Sequence, residues 1–195
     1  MRRGFTLIEM MAVIGIVAVL LAATVGGYSV VTKAAEKARA KDLVQQVKTA
    51  LELMHQQNDG QWPLRIATVG EKGAELDDQV AYSFVSGGTR YLTLAASGGK
   101  LVGYDRFGIL SPWGVDILKR RGLSAQLSDV RKHRLWFAVD ADGDGYIQTT
   151  VGGETVRIRA KAAVWCAGKD GVLEAYRVGL RRDDVYSWSV GDTRE

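Results

Sequence analysis

Phe5-Thr6-Leu7-Ile8-Glu9-Met10-Met11-Ala12-Val13-Ile14-Gly15-Ile16-Val17-Ala18-Val19-Leu20-Leu21-Ala22-Ala23 is the stretch whose reading decides the fold. Its one charged residue is Glu9. The run is close to the ~20 apolar residues that a helix needs to cross a bilayer. Arg2 and Arg3 flank it on the N-terminal side, which places that end in the cytoplasm and sends the C-terminal bulk across the membrane. After Gly26-Gly27 the polarity changes. Leu43, Val47, Ala50, Leu51 and Met54 then recur at helical spacing and form one apolar stripe. Lys33, Glu36, Lys37, Arg39, Lys41, Asp42 and Lys48 occupy the other faces. Asn58-Asp59-Gly60 and Pro63 stop the helix. Continuous from Phe5 to Gln57, it would be about 80 Å long at ~1.5 Å per residue. Its first half is apolar all round and its second half amphipathic. That combination predicts a lower half in lipid or in a bundle and an upper half packed on a sheet.

Downstream, short β-prone runs alternate with glycine-rich turns. The expected strands are Gln79–Val85, Tyr91–Ala95, Leu135–Val139, Tyr146–Thr150, Thr155–Ile158, Ala162–Cys166 and Val185–Trp188. Gly87-Gly88, Gly98-Gly99, Gly143-Asp144-Gly145 and Gly152-Gly153 mark turns. Leu118, Leu123, Leu127 and Val130 are spaced for a short helix within residues 116–134. The predicted class is α+β: one long helix with an antiparallel sheet on its distal half.

The composition narrows the function. The chain has 195 residues, 47% of them hydrophobic, enough for one domain beside an anchor. The net charge of +4 falls to +2 without Arg2 and Arg3, too mild to argue for nucleic acid. The basic clusters Lys119-Arg120-Arg121 and Arg131-Lys132-His133-Arg134 read as solvated faces. Cys166 is the one cysteine, so no intrachain disulfide forms and another staple, such as a metal, is expected. It reads as a buried small apolar side chain, and the tryptophans as core or turn anchors. His55 and His133 make no ligand pattern. With no nucleotide-binding loop, hydrolase signature or Cys-His pair, the chain is not expected to be an enzyme.

A secretory signal carries its cleavage site after its apolar stretch. Here Gly4 stands before it. Gly4-Phe5-Thr6-Leu7-Ile8-Glu9 resembles the signal of type IV pilins and type II secretion pseudopilins. The resemblance implies a leader of residues 1–4, a transmembrane and filament-core helix over 5–27, and a periplasmic pilin-like domain over 28–195. It implies cleavage after Gly4 by a prepilin peptidase and methylation of the new amine on Phe5. In that family the glutamate, here Glu9, meets the N-terminal ammonium of a neighbouring subunit. A lone carboxylate in a bilayer costs about 2.5–3.5 kcal/mol on insertion scales, so a pairing role for Glu9 is physically reasonable. The resulting contact is heterologous and propagates as a helix.

Two acidic loops suggest calcium. Asp140, Asp142 and Asp144 fall at i, i+2 and i+4, with Gly145 next, like the first half of an EF-hand loop. Tyr146 stands at the seventh position, and Val151 replaces the bidentate Glu of the twelfth. Farther on, Trp165-Cys166-Ala167-Gly168-Lys169-Asp170-Gly171 and Asp183-Asp184-Val185-Tyr186-Ser187-Trp188 resemble the C-terminal region of the major pseudopilin. The resemblance implies a calcium-binding loop there, with Asp170 and Asp184 at acidic positions and Asp183 beside them. Arg177, Arg181 and Arg182 depart from that pattern and oppose a cation. Ser111-Pro112-Trp113-Gly114 resembles a further element of the same family.

The expected function is that of a structural subunit of a type II secretion pseudopilus in the bacterial inner membrane. Its expected partners are the prepilin peptidase, copies of itself, other pseudopilins and the inner-membrane assembly platform. The alternatives are a minor pilin of a type IV pilus or competence filament, and a calcium-stabilised anchored domain that never polymerises.

Overall fold

The computed structural model describes residues 6–77, 80, 108–121, 127–179 and 183–194; for residues 23–30, 121, 127, 190 and 194 it describes the backbone alone. The chain divides into two compact units, Met1–Glu36 and Lys37–Glu195.

Helix α1 runs from Leu7 to Gln57. Thr6 precedes its first residue, and it ends where the Asn58-Asp59-Gly60 turn takes Asp59 and Gly60 to positive φ (54° and 75°). In the first unit its apolar side chains are exposed on every side, from Leu7 (78%) to Leu21 (60%). Among the described residues no helix is long and apolar enough to cross a membrane. The described side chains of the first apolar block, Leu7 to Ala22, extend about 24 Å, short of the roughly 30 Å hydrocarbon core.

In the second unit α1 buries one stripe: Ala40, Val44, Val47, Ala50, Leu51 and Met54. Leu43, expected in that stripe, is only partly buried at its edge, and Val44 takes the central place. The reason is one step of helical phase: Val44 and Ala40 stand in line with Val47, Leu51 and Met54. Helix α2 (Leu64–Gly70) follows Pro63 and buries Ile66. Strand β1 is Ala74–Glu75. Helix α3 (Pro112–Arg121) and helix α4 (Leu127–Arg131) carry Leu118, Leu127 and Val130 of the helix expected within 116–134, and Leu123 lies outside the described residues. Strands β2 (Leu135–Val139), β3 (Ile147–Val151), β4 (Glu154–Ile158) and β5 (Ala162–Cys166) follow the expected runs closely. A short helix α5 (Tyr176–Gly179), strand β6 (Val185–Tyr186), a 3-10 turn and strand β7 (Thr193–Arg194) complete the described chain. The strand expected to reach Trp188 stops at Tyr186. The expected strand Tyr91–Ala95 lies outside the described residues, as does Gln79–Val85 apart from the buried Val80.

Among the described residues α1 packs on an antiparallel sheet, as expected, with strand order β1-β2-β5-β6, and a second antiparallel sheet, β3-β4-β7, lies beside it. The β2–β5 pair is in register from Leu135↔Cys166 to Val139↔Ala162. Both of its faces are covered. Leu135, Phe137, Val139, Ala162, Val164 and Cys166 join the α1 stripe, Trp62 and Ile66 in one core. Ala138, Ala163 and Trp165 point the other way and join Ile147, Val151, Val156 and Ile158 in a second. The unit therefore has three layers, α1 on the first sheet and the second sheet on its far face. This explains why β5 reads Ala-Ala-Val-Trp-Cys with no polar alternation, and why all five residues are buried. The β3–β4 hairpin turns on Gly152 and Gly153, both at positive φ (55° and 85°), as a two-residue loop requires.

The basic cluster at residues 131–134 is not wholly a solvated face. Arg131 and Lys132 are exposed, whereas His133 and Arg134 are buried. Arg134 Nη1 donates to Glu75 Oε2 at 2.9 Å, which ties β2 to β1.

Candidate functional site

The N-terminal site is built around the start of α1. Thr6 is the cap residue and Glu9 lies three positions on. The Thr6 N–H donates to Glu9 Oε2 at 2.8 Å, and the Thr6 hydroxyl donates to the same oxygen at 2.9 Å. The Glu9 N–H lies 3.4 Å from Thr6 Oγ1. This is a capping box, in which side chain and backbone satisfy each other at the open end of a helix. The signal was present in the sequence as Thr-Leu-Ile-Glu, but the cleavage motif in the same residues masked it. The carboxylate therefore has two donors within its own subunit, on the turn that follows the Gly4–Phe5 bond.

The first acidic loop, residues 140–146, joins β2 to β3. The ends of those strands aim it, and Trp62 anchors its base by donating from Nε1 to the Asp140 carbonyl at 2.6 Å. Asp140 Oδ1 accepts from the Gly143 N–H at 2.8 Å, and Oδ2 from the Gly145 N–H at 2.9 Å. Asp144 Oδ1 accepts from the Tyr146 N–H at 2.7 Å. Gly143 and Gly145 take positive φ (77° and 83°), which lets the loop curl round these carboxylates. Asp140, Asp142 and Asp144 present oxygens within 4.8 Å of one another, so the trio can hold a metal ion. Asp140 is buried, and Asp142 and Asp144 are exposed. Burial pushes the Asp140 carboxyl above its usual range; the amides of Gly145 and Gly143 oppose that push, and Asp142 adds to it. Arg157 caps the outer side, 3.7 Å from Asp144 Oδ2, with its guanidinium 4.3 Å over the Tyr146 ring. Position twelve, Val151, is fully buried at the end of β3. The loop is thus flanked by strands and has no ligand there.

The second acidic set is arranged differently. Asp184 is buried beside β6, and Asp183 and Asp170 lie on the flanking turns. Among the described residues, these three do not form a convergent group like the first. Asp184 instead meets the Gly168 and Glu174 amides and the Tyr186 hydroxyl. Burial raises the Asp184 pKa, and those three donors pull it back. Burial and the neighbouring Asp184 raise that of Tyr186. Cys166 is fully buried, and its thiol is pushed up to about 12, which makes it inert as a nucleophile.

Comparison with known proteins gives one positive finding. The family described as the prokaryotic N-terminal methylation motif matches residues 1–25. No curated protein and no solved structure matches the chain. The N-terminus is thus of the prepilin type found in type IV pilin-like subunits, which are structural proteins. It implies processing by a prepilin peptidase, inner-membrane anchoring and filament assembly.

Proposed function

We propose that this chain is a structural pseudopilin of a type II secretion pseudopilus, cleaved between Gly4 and Phe5, methylated on Phe5 and assembled through α1 into a helical filament. The observation that carries this is Gly4 set before an apolar run whose lone charge is Glu9. The Thr6–Glu9 box supports it, because two donors lower the cost of carrying the carboxylate in apolar surroundings before a neighbour's ammonium replaces them. The missing disulfide and the acidic loops favour a secretion pseudopilus over a pilus.

The same reading puts calcium at Asp140, Asp142 and Asp144. These hard oxygen donors suit a cation of that class, and Tyr146, at the seventh position of the loop, would add its carbonyl. Extracytoplasmic sites of ~10⁻⁴–10⁻³ M affinity suffice. At free calcium tenfold above the dissociation constant, the gain in stability would be about 1.4 kcal/mol.

Expression with and without a prepilin peptidase tests the assignment. The intact mass should fall by residues 1–4 and rise by one methyl group only when the peptidase is present. An unchanged mass, or cleavage after Ala23, would remove the filament reading.

A further inference from the structure

The family resemblance implies calcium at the C-terminal loop, through Asp170, Asp183 and Asp184. The donor set there does not suit a cation. Asp184 Oδ1 accepts from the Gly168 N–H at 2.9 Å. Its Oδ2 accepts from the Glu174 N–H at 3.1 Å and from the Tyr186 hydroxyl at 3.1 Å. Asp183 Oδ2 accepts from the Lys169 N–H at 2.6 Å, and Asp170 Oδ1 from the Val172 N–H at 2.9 Å. Asp140 accepts two amides in the same way, so convergence makes the difference: among the described residues Asp170, Asp183 and Asp184 do not bring their oxygens together as Asp140, Asp142 and Asp144 do, and calcium needs six to eight converging oxygens.

Packing gives a second and independent reason. Asp184 is only 4% exposed, so water has little room to complete a coordination shell. Gly168 and Gly179 press directly on the acidic side chains. A Cβ on Gly168 would overlap the Asp183 carboxylate, and one on Gly179 would overlap the Tyr186 hydroxyl and the Asp184 carboxylate. The Gly168 and Gly179 backbones thus lie directly against these side chains.

We propose that the C-terminal loop is closed by a metal-free clamp, in which Asp184 holds the Gly168 and Glu174 amides and the Tyr186 hydroxyl. The clamp gathers the exit of β5, the segment before α5 and β6 onto one side chain. Charge-assisted bonds of this kind are stronger than neutral ones and strengthen one another when buried. The loop therefore keeps its shape whatever the calcium level, and any response to calcium is confined to residues 140–146. The inference stands on the loop's own geometry and does not depend on whether the chain polymerises.

Calcium titration of the ¹⁵N-labelled full chain in detergent micelles, followed through amide shifts, tests it. The amides of Gly143, Asp144, Gly145 and Tyr146 should move, and those of Gly168, Lys169, Val172 and Glu174 should stay. Without calcium, Asp184→Asn should move Gly168 and Glu174 and lower Tm equally in calcium and in chelator. If that variant does not fold, Tyr186→Phe gives the same comparison with one donor removed. Calcium-induced shifts of Gly168 and Glu174 in an Asp142→Asn background would overturn the clamp, as would a Tyr186→Phe deficit that calcium repairs. If no amide moves anywhere, the clamp stands and the calcium reading of residues 140–146 falls.

Discussion

Glu9 carries a charge on the most apolar segment of the chain, and Thr6 binds it from two sides. Glu9→Gln keeps the shape and removes the charge. Leader cleavage should persist, while filaments, counted by electron microscopy, should be lost. Wild-type filament levels in that variant would rule out charge pairing in assembly. His133 is the second residue of consequence. It is 5% exposed, and among the described residues its Nδ1 has no hydrogen-bond partner. Burial pushes its pKa below the usual value and Lys132 adds to that, while Asp170, the Gly168 carbonyl and Asp129 pull the other way. The unfolded chain therefore takes up this proton near pH 6.5 while the folded chain still resists it. Stability is complete above that pH and falls as pH drops through it toward the folded pKa. Tm of the full chain should decline from pH 7.5 to 6.0, and less steeply in His133→Gln. Equal slopes in the two proteins would assign the proton elsewhere.

Elements act through their buried faces. Leu51 of the α1 stripe is fully buried in the first core, which also holds Phe137 of β2 and Val164 of β5. Leu51→Ala should cost about 2–5 kcal/mol, read from denaturant unfolding, because a packed core does not close over a cavity. Loss of under ~1 kcal/mol would mean that α1 is loosely seated. The β2–β5 pair lies between two cores, so a polar group at Val164 or Trp165 has no outward face to turn to. The β2–β3 connection is a tight acidic loop because Asp140 satisfies two amides of its own loop before any ion arrives. Removing calcium should therefore soften this loop without unfolding it.

At the scale of the molecule, calcium binding is tested apart from assembly. The thermal midpoint of the full chain should rise with calcium and fall with chelator, and Asp142→Asn should abolish the difference. Identical midpoints in the wild type would exclude the metal reading of the first loop. The sequence by itself determined the long helix, its stop at Asn58-Asp59-Gly60, the strands β2 and β5 and the N-terminal processing signal. Each is written in local order: a 3.6-residue period, turn residues, short β-branched or apolar runs, and a glycine set before an apolar run with one charge. The acidic spacing of residues 140–144 was legible for the same reason, since carboxylates two residues apart meet within one curled loop. Only the tertiary structure decided what distant residues do together. The second sheet behind β5, the burial of Arg134 against Glu75 and the phase that favours Val44 over Leu43 all depend on partners far along the chain. So does the fate of Asp184, whose neighbours Gly168 and Glu174 come from another segment. Its residue type fits calcium, but its packing gives the carboxylate three hydrogen-bond donors instead.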